Sequence, residues 1–201
     1  MCFKKLKSLF SDPAKFFKDV GKEKDYWTVL KFFVVVYIVA VIIQILVSLP
    51  VNLKLPEFVE PLNFALTGLL YGVVSAFIVP FIVTALSHLG ILLFGGRKGF
   101  FNTFKAVTYG MIIIIGYSVI SSIITMIIFL LSPGSTITLG YVANIISLIG
   151  LTHMLVVETV GVSIVHSISK TKAFFGVILV PLVLILILTL LIFRFTPLGT
   201  L

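Results

Sequence analysis

Ser147-Leu-Ile-Gly150-Leu-Thr-His153-Met154-Leu-Val-Val-Glu158-Thr-Val-Gly161-Val-Ser-Ile-Val165-His166, followed by Ser167-Ile-Ser169-Lys170-Thr-Lys172-Ala173, is the stretch on which the reading of this chain turns. Its first part is apolar and long enough to cross a bilayer, which takes about 20 residues. Glu158 sits inside it and is the only acid after Glu60. A carboxylate in such a segment is costly, so it needs a partner, a proton or a job. At about 100° per residue, Ser147, Gly150, Met154, Glu158, Gly161 and Val165 fall within about 80° of one another. Glu158 is therefore expected on a face of small residues, the kind that packs on another helix rather than on lipid. His153 falls about 140° away, so the two are not a pair on one face.

The whole chain has the same character. Its 201 residues are 60% hydrophobic and only 11% charged, with a mean hydropathy of +1.26. Soluble domains carry about 45–50% apolar and about 25% charged residues. No water-soluble fold hides this much apolar surface, so the solvent is lipid and the fold class is an all-α polytopic membrane bundle. The net charge of +8 belongs to lysines that flank membrane segments and set topology, not to a nucleic-acid surface. Cys2, the single cysteine, allows no internal disulfide. No cleavable signal peptide is expected, because the first apolar segment starts after about thirty lysine-rich residues.

Two regions follow. Residues 1–31 form a basic amphipathic segment, and 32–201 a five-helix membrane domain with spans at about 32–49, 62–94, 104–131, 139–167 and 173–193. In the first region Phe3, Leu6, Phe10, Phe17 and Val20 keep helical steps, with Leu9 and Phe16 widening the stripe. Asp12-Pro13 reads as an N-cap followed by proline at the first helical position, opening a second short helix to about Val20. Lysine on one side and phenylalanine on the other suits a helix in the membrane interface. Tyr26 and Trp27 are placed as interfacial anchors, and Pro50 is expected to end the first span.

The second span carries Gly68 and Gly72, extended by Ala76, which permits close helix approach. Internal packing is the expected use, and a homo-oligomer is the other partner this stripe allows. Pro80 should kink that span. The link Gly95-Gly96-Arg97-Lys98-Gly99 is short, flexible and basic, but lacks the phosphate-loop pattern. In the third span Ser118, Ser121, Ser122 and Thr125 can bond backbone carbonyls of their own helix, so they need not mark a pore. Pro181 lies inside the last span, which Arg194 ends.

Orientation follows from charge. Eight lysines lie at or before Lys31, three cations at Arg97, Lys98 and Lys105, and two at Lys170 and Lys172. The opposite face has only Lys54 and Arg194. The excess marks the cytoplasmic side, so the N-terminus is expected inside and the C-terminus outside. By depth, Glu158 lies about 12 Å from the His166 end and His88 about 9 Å from the Phe94 end. His88, and Lys105 with its long stem, are thus the candidate partners of Glu158 in an intramembrane polar site. No metal or cofactor is expected: the three histidines are scattered, and H-E-x-x-H is absent. Gly116-Tyr117-Ser118-Val119 is not a serine-hydrolase elbow, so no enzyme activity is expected.

Three pieces of the sequence resemble the Yip domain family, the Ypt/Rab-interacting membrane proteins with five spans. The first is Asp12-Pro13-Ala14-Lys15-Phe16-Phe17, similar to an opening seen in many prokaryotic members. The second is His88-Leu89, then Phe94-Gly95-Gly96-Arg97-Lys98-Gly99-Phe100, Phe104-Lys105-Ala106 and Tyr109. The third is His166-Ser167-Ile168-Ser169-Lys170-Thr171-Lys172-Ala173. Many members follow the tyrosine with a proline, whereas here Gly110 and Met111 follow. The resemblance implies a five-helix bundle with a cytoplasmic N-terminus and, in eukaryotic relatives, Rab binding and vesicle formation. The short tail resembles prokaryotic members, implying a prokaryotic cytoplasmic membrane, with the endoplasmic reticulum or Golgi as the alternative. The expected role is non-enzymatic membrane organisation or protein interaction, with anionic lipid headgroups or a cytoplasmic protein as partner. The alternative is a small transporter, channel or lipid-moving protein using Glu158.

Overall fold

The computed structural model of the chain describes residues 2–54, 61–132 and 136–195. Two short helices, α1 (Cys2–Ser11) and α2 (Pro13–Val20), precede four long ones: α3 (Tyr26–Lys54), α4 (Pro61–Leu93), α5 (Phe100–Leu131) and α6 (Thr136–His166). A last rod follows without a break: α7 (Lys170–Phe174), a π-helical turn (Phe175–Leu179) and α8 (Val180–Phe195). Five helices are long and apolar enough to cross a membrane. The chain is an integral, multi-pass, all-α membrane protein.

The helices start where caps allow, earlier than the apolar runs at 32, 104 and 173 imply. Asp25 accepts from the Thr28 amide at 2.7 Å and from its hydroxyl at 2.7 Å, so α3 opens at Tyr26. Gly99 has φ 85°, a conformation that glycine adopts without a Cβ penalty; it turns the chain into α5. Ser169 Oγ accepts from the Lys172 amide at 3.3 Å and opens α7. Asp12 does the same for α2, accepting from the Lys15 amide at 3.0 Å with Pro13 in the first turn. Pro50 does not end the helix of the first span, since α3 runs on to Lys54. A proline removes one helical bond, and membrane helices tolerate that loss. Residues 55–60 and 133–135, in the links between the expected spans at 32–49 and 62–94 and at 104–131 and 139–167, lie outside the described residues.

The π turn has a local cause. Pro181 has no N–H for the carbonyl four residues back, and its ring crowds that carbonyl. Widening the preceding turn relieves the crowding. The same turn brings Gly176 against Gly90 of α4 so closely that a Cβ on Gly90 would collide with the Gly176 carbonyl. Pro80 lies inside α4, which continues through it.

α5 is the central helix, packed most extensively on α6 and then on α3 and α4. Its first turns, from Thr103 to Gly110, are buried on all sides, whereas its later turns are largely half-buried or exposed. The core is concentrated at that end: Leu9, Phe16, Phe17, Val29, Phe33, Phe104, Tyr109, Ile112, Val157, Val162 and Ala173 are one cluster. The apolar stripe of α1 and α2 supplies Leu9, Phe16, Phe17 and Val20 to it. That stripe is thus covered by the protein's own helices, and only Phe3 is left largely exposed, at 79%. Along the later turns the hydroxyls bond their own helix as expected, Ser118 to the Ile115 carbonyl, Ser122 to Ser118 and Thr125 to Ser121.

Candidate functional site

Glu158 lies where the small-residue face of α6 meets α5. It is 3% exposed, and a Cβ on Gly110 would collide with its Cγ. The neighbouring positions on that face behave alike. A Cβ on Gly150 would lie 2.7 Å from Tyr117 Cβ, and one on Gly161 2.6 Å from the Phe17 ring. The face therefore seats α5 above and α2 below, with glycine at each crossing. Gly72 is used the same way, against the Tyr37 hydroxyl of α3. Gly68 lies outside the residues whose surroundings are described.

The expected grouping of Glu158 with His88 and Lys105 does not form. Among the described residues Glu158 Oε1 has no hydrogen-bond partner. Lys105, 1% exposed, instead turns its ammonium to the Gly21 and Glu23 carbonyls, each at 3.2 Å, and lies 4.9 Å from the Phe101 ring centre. An ammonium has three donors, so a buried lysine satisfied by carbonyls and an aromatic face avoids the cost of an unpaired charge. Helical depth brought these side chains to similar levels, but the faces they occupy are set by packing.

Lys105 belongs to a clasp around the N-terminal segment. Lys5 Nζ pairs with Glu23 Oε1 at 2.6 Å and donates to the Tyr109 hydroxyl at 2.7 Å. That hydroxyl donates to Glu23 Oε2 at 2.6 Å. The Lys5 ammonium also lies 4.7 Å from the centres of the Phe32 and Tyr109 rings. α1, the α2–α3 turn and α5 are so joined through one hydroxyl. Glu23 and Lys5 gave no sequence signal, being two of many charges in a polar tail; Tyr109 stood out only as the last residue of the second family-like stretch.

His88 joins a second group. Its Nδ1 is 2.7 Å from Thr103 Oγ1, which is 2.9 Å from His166 Nε2. The Lys98 amide donates to His166 Nδ1 at 3.4 Å, and Lys98 Nζ donates to Ser167 Oγ. A neutral imidazole that accepts at Nδ1 carries its proton at Nε2. His166 then donates to Thr103, whose hydroxyl donates to His88. The chain has a fixed direction and ties α4, α5 and the two links together. Gly95, with φ 87°, makes the turn, while Gly96 packs on Ile91 and His166. Gly96, Lys98, Gly99, His166 and Ser169 thus act as turn, cap and tie residues. Lys170 and Lys172 are exposed.

His153 faces away from Glu158, with Nδ1 3.3 Å from the Tyr117 hydroxyl and its ring 5.9 Å from that of Phe10. Among the described residues no group of three His, Cys, Asp or Glu could hold a metal.

A long-helix membrane bundle with a clasped N-terminal hairpin and two hydrogen-bonded links is the class this geometry defines. The Yip1 domain matches residues 7–192, and the chain belongs to that family. Compared with curated proteins and with solved structures, it matches none.

Proposed function

We propose that the protein is a non-enzymatic membrane-organising or interaction protein that works through the basic end of its bundle. The carrying observation is that the three basic stretches meet there. Lys105 touches the α2–α3 turn at Gly21, and Lys98 touches Ser167 beside Lys170 and Lys172. This convergence supports a cytoplasmic placement of that end and of the N-terminus, with the C-terminus outside. Lys5 and Lys105 are engaged within the bundle, whereas Lys15, Lys18, Lys22, Arg97, Lys170 and Lys172 are exposed for a partner. An anionic lipid surface in a prokaryotic cytoplasmic membrane fits that set, at about 1 kcal/mol per cation. A cytoplasmic acidic protein is the other partner of the same chemistry. The test is reconstitution into vesicles with and without phosphatidylglycerol, followed by cross-linking and affinity purification. Loss of partner or lipid selectivity on neutralising these cations is expected; unchanged selectivity overturns the reading.

One observation favours a second reading. Among the described residues a buried carboxylate oxygen of Glu158 has no partner, and an intramembrane acid of this kind is a transport-site hypothesis. A proton or ion flux in vesicles that disappears in Glu158→Gln supports it. Absence of flux in the wild-type protein rejects it.

A further inference from the structure

The two flanks of the basic end place polar and apolar surface at different heights. On one flank the α1–α2 hairpin reaches far down the bundle. Its tip residue Phe10 packs on Gly116, where a Cβ would lie 2.7 Å from Phe10 Cζ, and on the His153 ring at 5.9 Å. Gly116 lies sixteen residues into α5, about 24 Å from Phe100. His153 lies thirteen residues before His166, about 20 Å, so a second helix gives a similar depth. The outward side of this hairpin is polar to its tip: Lys4, Lys7, Ser11, Asp12, Lys15 and Lys18 are exposed.

On the other flank, the end of α4 and the junction of α7 with the π turn, below Lys170 and Lys172, present apolar surface close to the end of the bundle, where Phe94 stacks on Phe175. Leu89, Leu92 and Leu93 are 54%, 48% and 74% exposed, and Phe174 and Phe175 47% and 38%. These residues stand level with the start of α5, because His88 and His166 are both tied to Thr103. Lipid must cover them, while hydrocarbon cannot cover Ser11 and Asp12 beside Phe10, roughly 20 Å deeper, nor Lys4 beside Lys5, which meets Tyr109 about 13 Å into α5.

We propose that the outer face of the α1–α2 hairpin is a binding surface for anionic phospholipid headgroups, which draws the leaflet down on that flank. The bilayer surface is then inclined across the protein, low at the hairpin and high at α4 and α7. The charge fits: four outward lysines face two acids, Asp12 and Asp19, and Asp12 is already used as the cap of α2. Phe3, 79% exposed beside Lys4 and Lys5, supplies the apolar contact of an interfacial element. Tilt and local thinning are the ordinary responses of a bilayer to such mismatch. The inference rests on the reading that the basic end meets anionic lipid.

The test uses the full chain in phosphatidylcholine vesicles containing phosphatidylglycerol, in a Cys2→Ser background. Ser11→Cys and Leu93→Cys are each challenged with a charged, membrane-impermeant maleimide. Ser11→Cys, the deeper site by helix register, is expected to react at least tenfold faster than Leu93→Cys. Equal rates, or faster reaction at Leu93→Cys, overturn the inclined surface. Orientation in the vesicle moves both rates together and leaves their ratio unchanged. In a second arm, Lys4/Lys7/Lys15→Gln is compared with Arg97/Lys170/Lys172→Gln for retention of phosphatidylglycerol over phosphatidylcholine, read by mass spectrometry. The hairpin triple is expected to lose selectivity by tenfold or more, and the link triple much less. Equal loss overturns the hairpin site while the basic-end reading stands, and no loss in either overturns both. Because Lys4, Lys7 and Lys15 side chains are exposed, an unchanged melting temperature without lipid checks that the variants fold.

Discussion

Glu158 of α6 and Gly110 of α5 are packed so closely that no side chain other than hydrogen fits on Gly110. Gly110→Ala should therefore overpack the crossing and destabilise the protein by about 1–3 kcal/mol. The cost should largely vanish in a Glu158→Ala background, because the colliding atoms are gone. Thermal melts of the four proteins of this cycle in detergent measure the coupling. Equal cost of Gly110→Ala in both backgrounds would show that the contact does not set the crossing.

Tyr109→Phe removes the hydroxyl that joins Lys5 to Glu23. It leaves a partly buried ion pair short of one donor and one acceptor. The expected cost is about 1–3 kcal/mol, with faster protease cleavage between α1 and α3. Lys5→Met combined with Glu23→Gln should lower the cost of Tyr109→Phe, since the charges that need the hydroxyl are absent. Unchanged proteolysis in Tyr109→Phe would mean that the apolar face alone holds the segment.

Phe17 is fully buried over Gly161 and stacks edge-on against Phe16 at 5.2 Å. Phe17→Ala should cost about 3–5 kcal/mol and free the hairpin, read as cleavage after the lysines of α2. Gly161→Ala should release the same hairpin from the opposite side, because its Cβ enters the Phe17 ring position.

Asp25 gives a pH dependence outside the membrane. The Thr28 hydroxyl and amide bonds hold its carboxyl below the usual carboxylate range. A lowered folded-state pKa means the cap contributes fully above the ordinary Asp value and is lost as pH falls through the lowered one. Hydrogen exchange at the Thr28 amide should therefore accelerate on acidification, beyond the intrinsic pH effect, in the wild-type protein. Asp25→Asn keeps the cap without the titration and should abolish that acceleration. A wild-type profile identical to that of Asp25→Asn would remove Asp25 as its source.

Much of the architecture was legible because lipid makes hydropathy nearly sufficient. Five apolar runs became five long helices, and Asp12-Pro13 set the break between α1 and α2. Span ends were less legible, since Asp25, Gly99 and Ser169 start helices by hydrogen bonding or backbone freedom while apolar runs begin later. Pro50 shows the reverse error, a breaker that does not break. In the candidate site, the small-residue face of Glu158 was readable from helical periodicity. Its neighbours were not, because depth along a helix fixes height but not rotation against other helices. His88 and Lys105 share that height and face Thr103 and the α2–α3 turn instead.

The sequence by itself determined that this is a multi-pass helical membrane protein, which stretches are basic, and which face of α6 is small. Those properties follow from local composition and the helical repeat. Only the tertiary structure decided that α1 and α2 turn their apolar stripe onto α5 and α6, that Glu158 meets Gly110 rather than a cation, and that Tyr109 clasps the N-terminal segment. Such choices depend on which of several apolar faces pack together. That is a competition between long-range contacts with similar local signatures, and only the assembled bundle resolves it.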